Sequence, residues 1–127
     1  MINQKRLTEE FLELTAIPSL SRQEGQIARR LESILKDMGA SVEVDDAGEK
    51  VGGNTGNILA RFTGTDAAAP PFLLSGHMDT VGPASQVRTV IEGDIIHTDH
   101  TSVLGGDRKS TRLNSSHLSQ SRMPSSA

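Results

Sequence analysis

The feature that most limits the fold is a change in composition near residue 107. Residues 108–127 contain four basic residues, seven serines and no acidic residue, whereas residues 1–107 contain nine basic and sixteen acidic residues. The few apolar residues after position 107 follow neither a helical nor a strand period, so this stretch has no face to bury. We therefore expect residues 108–127 to be a disordered tail and residues 1–107 to carry the fold.

The genetic code offers a sharper interpretation of the tail. Residues 107–117 (DRKSTRLNSSH) can be encoded by DNA that resembles the constant strand of a common sequencing adapter, and residues 121–127 fit its continuation. Residues 118–120 then stand where a variable index would lie. We expect the tail to be non-native and to contribute nothing to the fold. Asp107 itself is open to either a native or an adapter origin.

Composition excludes several kinds of site. The chain contains no Cys, which excludes disulfides, thiolate zinc sites and a cysteine nucleophile. Three Phe are its only aromatic residues and its net charge is −3, so neither base stacking nor a basic surface indicates a nucleic-acid partner. The sequence shows no run of roughly 18 apolar residues and no signal-peptide core. We expect a cytoplasmic protein without a nucleic-acid or membrane partner.

Two stretches have the apolar spacing of amphipathic helices. Leucines and a phenylalanine fall on one face between residues 3 and 15, and Pro18 ends that pattern. Residues 21–24 (SRQE) have the spacing of a capping box, which predicts a second helix beginning there. Its apolar stripe runs from Ile27 to Met38, and Gly39 suits the left-handed exit of a helix.

Three later stretches predict strands. Residues 41–45 and 57–62 have the pattern of half-buried strands. Residues 72–76 (FLLSG) form a short continuous apolar run, which is typical of an interior strand covered on both faces. Residues 64–71 predict a surface loop between them. Helices followed by strands favour an α/β fold in which two helices pack on a mixed β-sheet.

The segment SGHMDT at residues 75–80 overlaps the end of the apolar run. Ligands in open α/β sheets lie at the carboxyl ends of strands, so a site is expected here. Residues two apart in an extended chain point the same way, which places His77 and Asp79 on one face. An imidazole can then bind a metal through one nitrogen while a carboxylate holds the other N–H. A merely hydrogen-bonded His followed by a turn-forming Asp would give the same tripeptide. The tripeptide alone therefore does not distinguish a metal site from a turn, and other parts of the sequence are needed.

Three segments match one family together, in order and in spacing: residues 45–58 (DDAGEKVGGNTGNI), 75–81 (SGHMDTV) and 101–107 (TSVLGGD). They resemble the N-terminal part of peptidase T-like proteins, within the co-catalytic zinc hydrolases that include acetylornithine deacetylases and carboxypeptidase G. The resemblance covers residues 1–106. It implies that residues 1–107 are the opening, incomplete part of a zinc-exopeptidase-type catalytic domain.

The resemblance also implies roles for three residues. It makes His77 a zinc ligand, Asp79 the catalytic residue that orients it, and Asp107 the carboxylate that bridges two metals. A bridging carboxylate offsets part of the repulsion between dications about 3.5–4 Å apart. The implied cofactor is Zn²⁺, two per complete active site, with Co²⁺ or Mn²⁺ as alternatives. The family pattern around this Asp is Gly-x-Asp-Asp-Lys-x-Gly, and the chain departs from it at Arg108.

The activity implied by the resemblance is hydrolysis of small peptides by a metal-activated water, as in a peptidase T-like aminopeptidase. An N-acyl amino acid deacylase or carboxypeptidase of the same family, and a non-catalytic fragment or binding module, stay open. The family's general-base Glu, its other ligands and its lid domain, which mediates dimerisation in many members, would lie beyond residue 107. Residues 108–127 contain no Asp or Glu, so we expect the polypeptide as written to be inactive. A homodimer is an option only for its full-length parent.

Two other segments carry weaker signals. Residues 96–100 (IHTDH) contain a second His-x-Asp, but two His three apart on a strand-to-loop segment point in different directions. That favours a solvated loop over a metal site. Residues 52–56 (GGNTG) lack the preceding strand and following helix of a phosphate-binding loop, so they predict a turn between two strands. Ser75 lies outside any Gly-x-Ser-x-Gly elbow, and a serine hydrolase is not indicated.

Overall fold

The computed structural model describes residues 2–81, 87–99, 101–102 and 104. Its elements follow the order helix, helix, strand, short helix, strand and then a hairpin of two strands. The predictions for the tail at residues 108–127, for its adapter origin and for Asp107 lie outside the described residues.

The first helix, α1, spans Gln4–Ala16. Its N-terminus is capped by Asn3, whose side-chain oxygen accepts the backbone N–H of Arg6 at 3.1 Å. It ends at Ala16, and the next residue, Ile17, is extended because it precedes Pro18, and proline disfavours a helical conformation in its predecessor. The predicted helix and its stop are therefore confirmed.

The second helix, α2, spans Gly25–Asp37 and begins later than the capping box predicts. Arg22 has a left-handed φ of 71°, which breaks the helical path, and the Glu24 carboxylate accepts the backbone N–H of Arg22 at 2.8 Å instead of that of Ser21. The helix is capped from a distance, since the N–H of Gly25 donates to Asn54 Oδ1 at 2.8 Å. At the other end Gly39 has a φ of 90°, as its position after the helix predicts.

Strands β1 (Ser41–Val44) and β2 (Ile58–Arg61) pair antiparallel, with Ser41 opposite Arg61 and Val44 opposite Ile58. A third, short helix, α3 (Ala47–Val51), lies between them and was not predicted. The turn predicted at residues 52–56 follows it. Helix α2 packs against both strands, and Ile27 and Ala28 on its inner face are the buried apolar residues of the described chain. The predicted α/β class is confirmed.

The prediction of a buried interior strand at residues 72–76 is wrong for this chain. Phe72, Leu73 and Leu74 are 85%, 85% and 82% exposed, and no ladder pairs them with any described residue. A strand is stabilised by hydrogen-bonded neighbours on its edges and by cover on its faces, and the described residues supply neither. The nearest pairing is a single parallel bridge between Leu20 and Thr80.

Two further strands, β3 (Thr89–Glu92) and β4 (Ile95–Thr98), form an antiparallel hairpin. The second strand includes His97, so residues 96–98 belong to a ladder and not to the expected loop. None of the described helices has the length and apolar character to cross a membrane.

Candidate metal and catalytic site

His77 and Asp79 meet on the segment that follows the exposed apolar run. The Nδ1 atom of His77 lies 3.0 Å from Asp79 Oδ1 and 2.9 Å from the backbone oxygen of Asp79. Both neighbours of Nδ1 are oxygen atoms that accept hydrogen bonds. The neutral ring is therefore stabilised with its proton on Nδ1, which leaves the lone pair on Nε2.

The site is open to solvent. The side chains of His77 and Asp79 are 52% and 43% exposed. Within the described ranges, no hydrogen bond to Nε2 of His77 is formed. Such a nitrogen has the chemistry of a zinc ligand, and the Asp79 carboxylate has the place of the group that fixes its tautomer.

The described donors do not complete a metal site by themselves. No group of three or more His, Asp or Glu among residues 2–81, 87–99, 101–102 and 104 is arranged to hold a metal ion. A catalytic zinc takes three protein ligands, and the other predicted ligand, Asp107, lies outside the described residues. The chain's donor chemistry therefore fits one imidazole ligand of such a centre.

Thr80 anchors this segment to the chain that leaves α1. Its backbone N–H donates to the Ser19 carbonyl at 2.8 Å, and its hydroxyl donates to the same carbonyl at 3.3 Å. The two hydroxyl oxygens, Ser19 Oγ and Thr80 Oγ1, lie 3.3 Å apart, and Ser19 is only 2% exposed. Sequence reasoning missed this contact, because 61 positions separate the two residues and no periodicity relates them.

The second His-x-Asp motif has a different geometry. The ring of His97 lies with Nε2 3.6 Å from Glu92 on the facing strand and with Nδ1 2.8 Å from the Thr98 carbonyl. The Asp99 carboxylate instead accepts the hydroxyl and backbone N–H of Thr101, which lower the pKa of Asp99. His100 lies outside the described residues. The Asp99 carboxylate is hydrogen-bonded to Thr101 and, among the described contacts, does not orient the His97 ring. These contacts resemble those at the end of an ordinary β-hairpin.

An acidic residue of the first matching segment has a structural role. The Asp45 carboxylate accepts the side-chain amide of Asn57 at 2.9 Å and the backbone N–H groups of Asn57 and Ala47 at 2.7 and 3.0 Å. These donors, with the Asn57 side chain the largest contribution, hold the pKa of Asp45 below its ordinary value. The carboxylate thus fixes the start of α3 against the start of β2.

Comparisons with known proteins agree with the resemblance found in the sequence. The chain is 39% identical over 109 residues to the uncharacterized protein YqjE of Bacillus subtilis (strain 168), which covers 86% of this chain and 29% of that protein. No family model matches the chain.

Two solved structures share the fold. Aminopeptidase PepT from Bacillus cereus ATCC 10987 is 33% identical with a TM-score of 0.79, covering 82% of this chain and 28% of that one. A tripeptidase from Staphylococcus aureus subsp. aureus Mu50 is 34% identical with a TM-score of 0.78, covering 83% of this chain and 28% of that one. The chain spans less than a third of the length of these proteins. Together with the sequence motifs, they confirm that this chain resembles the N-terminal part of a peptidase T-like protein.

Proposed function

We propose that this chain is part of a cytoplasmic, metal-dependent peptidase that hydrolyses small peptides, in the manner of a peptidase T-like aminopeptidase. The observation that carries the proposal is the pairing of His77 Nδ1 with Asp79 on an exposed segment, which leaves Nε2 free to bind a metal. The similarity to an aminopeptidase and a tripeptidase supports the same class of reaction.

The chain's own residues would bind and orient in this reaction. His77 would hold one metal through Nε2, and Asp79 would keep the ring in the tautomer that makes this possible. When bound, Zn²⁺, or Co²⁺ or Mn²⁺ in its place, supplies Lewis acidity toward the peptide carbonyl and lowers the pKa of water. Asp107 would contribute the bridging carboxylate if it is native.

We further propose that the 127-residue polypeptide does not hydrolyse peptides by itself. A general base near the metal is required to take the proton of water. The resemblance places this Glu beyond residue 107, and residues 108–127 contain neither Asp nor Glu. His77 supplies one donor where a catalytic zinc needs three. Purified polypeptide should show no peptide hydrolysis above background with any of the three metals, and metal-dependent turnover would contradict this.

A chimera tests the metal-ligand role directly. Residues 1–104 would replace the matching part of the Bacillus cereus aminopeptidase, so that the rest of the site comes from the recipient. We expect the chimera to hydrolyse a tripeptide in the presence of Zn²⁺ or Co²⁺. Asp79→Asn should lower kcat/KM roughly 10–100-fold, since loss of an orienting partner has that effect. His77→Gln should lower it further, because it removes the ligand itself.

His97→Gln is the matched control, because His97 also stands two residues before an Asp but lies in the β3–β4 hairpin. The proposal fails if His77→Gln and His97→Gln leave the same activity in a folded, active chimera. Substrate class requires a separate observation, because in the chimera the recipient supplies most of the site. Extending the reading frame in the source DNA should reveal a downstream Glu-Glu pair with further Asp and His ligands. Deacylase or carboxypeptidase activity of the extended protein would replace the aminopeptidase assignment.

A further inference from the structure

We propose that Ser19 and Thr80 are positioning residues that set the orientation of His77 through the peptide group between Asp79 and Thr80. One side of this peptide group is the Asp79 carbonyl, which accepts from His77 Nδ1 at 2.9 Å. The other side is the Thr80 N–H, which donates to the Ser19 carbonyl at 2.8 Å. The same rigid peptide group therefore contacts the His77 imidazole on one side and the Ser19 carbonyl on the other.

The planarity of the peptide bond makes this connection effective. The C=O and N–H of one peptide group lie in a plane and point in opposite directions, and rotation about the C–N bond is strongly opposed. Fixing the direction of the Thr80 N–H therefore fixes the direction of the Asp79 carbonyl. That carbonyl is one of the two oxygens that hold the proton on Nδ1 of His77, the other being Asp79 Oδ1.

Ser19, which accepts the Thr80 N–H, is itself buried and makes further contacts with Thr80. Ser19 is 2% exposed, and its hydroxyl and carbonyl oxygens both lie 3.3 Å from the Thr80 hydroxyl. The neighbouring Leu20 forms a parallel bridge with Thr80, and its carbonyl accepts the N–H of Gln23 at 2.7 Å in the turn before α2. Thr80 is thus tied to the part of the chain that joins α1 to α2. The hydroxyl contacts hold the Thr80 N–H against the Ser19 carbonyl, so removing either hydroxyl loosens this backbone hydrogen bond.

The segment before His77 has no comparable support. Residues 72–76 are exposed and unpaired with any described residue, so from the N-terminal side nothing in the described chain restrains the imidazole. A functional group is effective when its rotamer and backbone are held by surrounding contacts. The latch formed by Ser19 and Thr80 supplies that restraint, and its catalytic meaning rests on the proposed role of His77 as a metal ligand.

The test reads the tautomer of His77 in the full 127-residue chain, without metal or substrate. With nitrogen-15-labelled histidine in mildly alkaline buffer, the two ring nitrogens give widely separated NMR shifts when one tautomer dominates and converging shifts when two exchange. His77→Gln assigns the signals. Thr80→Val removes the hydroxyl but keeps the shape, Thr80→Ser keeps the hydroxyl, and Ser19→Ala removes the partner hydroxyl. The control is Thr63→Val at an exposed position without a described contact.

We expect the unaltered chain to favour the Nδ1-protonated tautomer. Thr80→Val should lower the tautomer ratio roughly threefold to tenfold, the range expected for loss of a hydrogen bond, and Thr80→Ser should restore it. Ser19→Ala should give a smaller decrease and decides the case if Thr80→Val unfolds. An unchanged ratio in Thr80→Val and Ser19→Ala overturns the proposal, as does an equal decrease in Thr63→Val. Because the readout needs neither metal nor substrate, failure of the latch is distinguishable from failure of the peptidase assignment.

Discussion

Asp45 shows how a single carboxylate can organise a connection. Its oxygens accept three N–H groups from Asn57 and Ala47, which joins the start of α3 to the start of β2 across twelve positions of sequence. All three donors favour the ionised carboxylate, so they lower the pKa of Asp45. The stability of this connection must therefore depend on pH.

The sign of that dependence follows from the lowered pKa. The stabilisation is fully present above the ordinary pKa of 3.8 and is lost as the pH falls through the lower folded-state pKa. We expect the melting temperature to fall as the pH falls below about 4, a range that we call the acid limb of the pH profile. Asp45→Asn should make the melting temperature less dependent on pH in this limb. Asp37→Asn, at the exposed C-terminal end of α2, should leave the limb unchanged. An equally steep limb in both variants would show that Asp45 is not responsible.

The candidate site was partly predictable at this scale. The two-residue period of an extended chain was enough to place His77 and Asp79 together, and the structure has them 3.0 Å apart. The latch at Ser19 and Thr80 was not predictable, because its contacts join residues 61 positions apart through backbone groups that every residue carries. The cap of α2 by Asn54 was missed for the same reason, since a distant side chain replaced the local capping box.

Among the elements, those with a clear period were predicted and those that depend on neighbours were not. Helices α1 and α2 and strands β1 and β2 follow their apolar spacing. Helix α3 has only five residues, which is too short for a helical period to show. The apolar run at residues 72–76 could not reveal from its own composition whether partner strands are present, and in the described chain it has none.

The connection between β1 and β2 depends on close backbone contact at Gly56. A Cβ atom there would overlap the Asp45 carbonyl oxygen, which belongs to the backbone and cannot move aside cheaply. Gly56→Ala should therefore lower the free energy of unfolding by about 1–3 kcal/mol, the usual cost of overpacking. Gly76→Ala is the matched control, because a Cβ at Gly76 meets nothing within 4 Å of the described atoms. Urea unfolding with equal losses in both variants would contradict this account.

At the scale of the whole molecule, much apolar surface stays uncovered. The buried apolar residues of the described chain are Ile27 and Ala28, whereas Phe72, Leu73 and Leu74 are more than four-fifths exposed in consecutive positions. Exposed apolar runs with unpaired backbone are templates for association. The chain spans less than a third of the length of its relatives, so in proteins of that kind other residues are available to cover such a surface.

We expect the 127-residue polypeptide to associate without a defined stoichiometry through residues 72–74, which differs from the lid-mediated homodimer that the resemblance implies for a full-length parent. Sedimentation velocity should show an average mass that rises with concentration, and Leu73→Lys should shift the distribution toward monomer because a charge opposes burial of the run. Val51→Lys, at a single exposed apolar position of α3, is the control and should leave association unchanged. A monomer at all concentrations, or equal effects of both substitutions, would contradict the prediction.

The central claim is that His77 presents Nε2 to a metal while Asp79 holds Nδ1. Titrating the nitrogen-15-histidine-labelled chain with Zn²⁺ measures this directly. We predict weak binding in which the Nε2 signal of His77 shifts first and most, and in which Asp79→Asn weakens the response roughly tenfold or more. A response that begins at His97, or one that appears at Nδ1 of His77, would contradict the account.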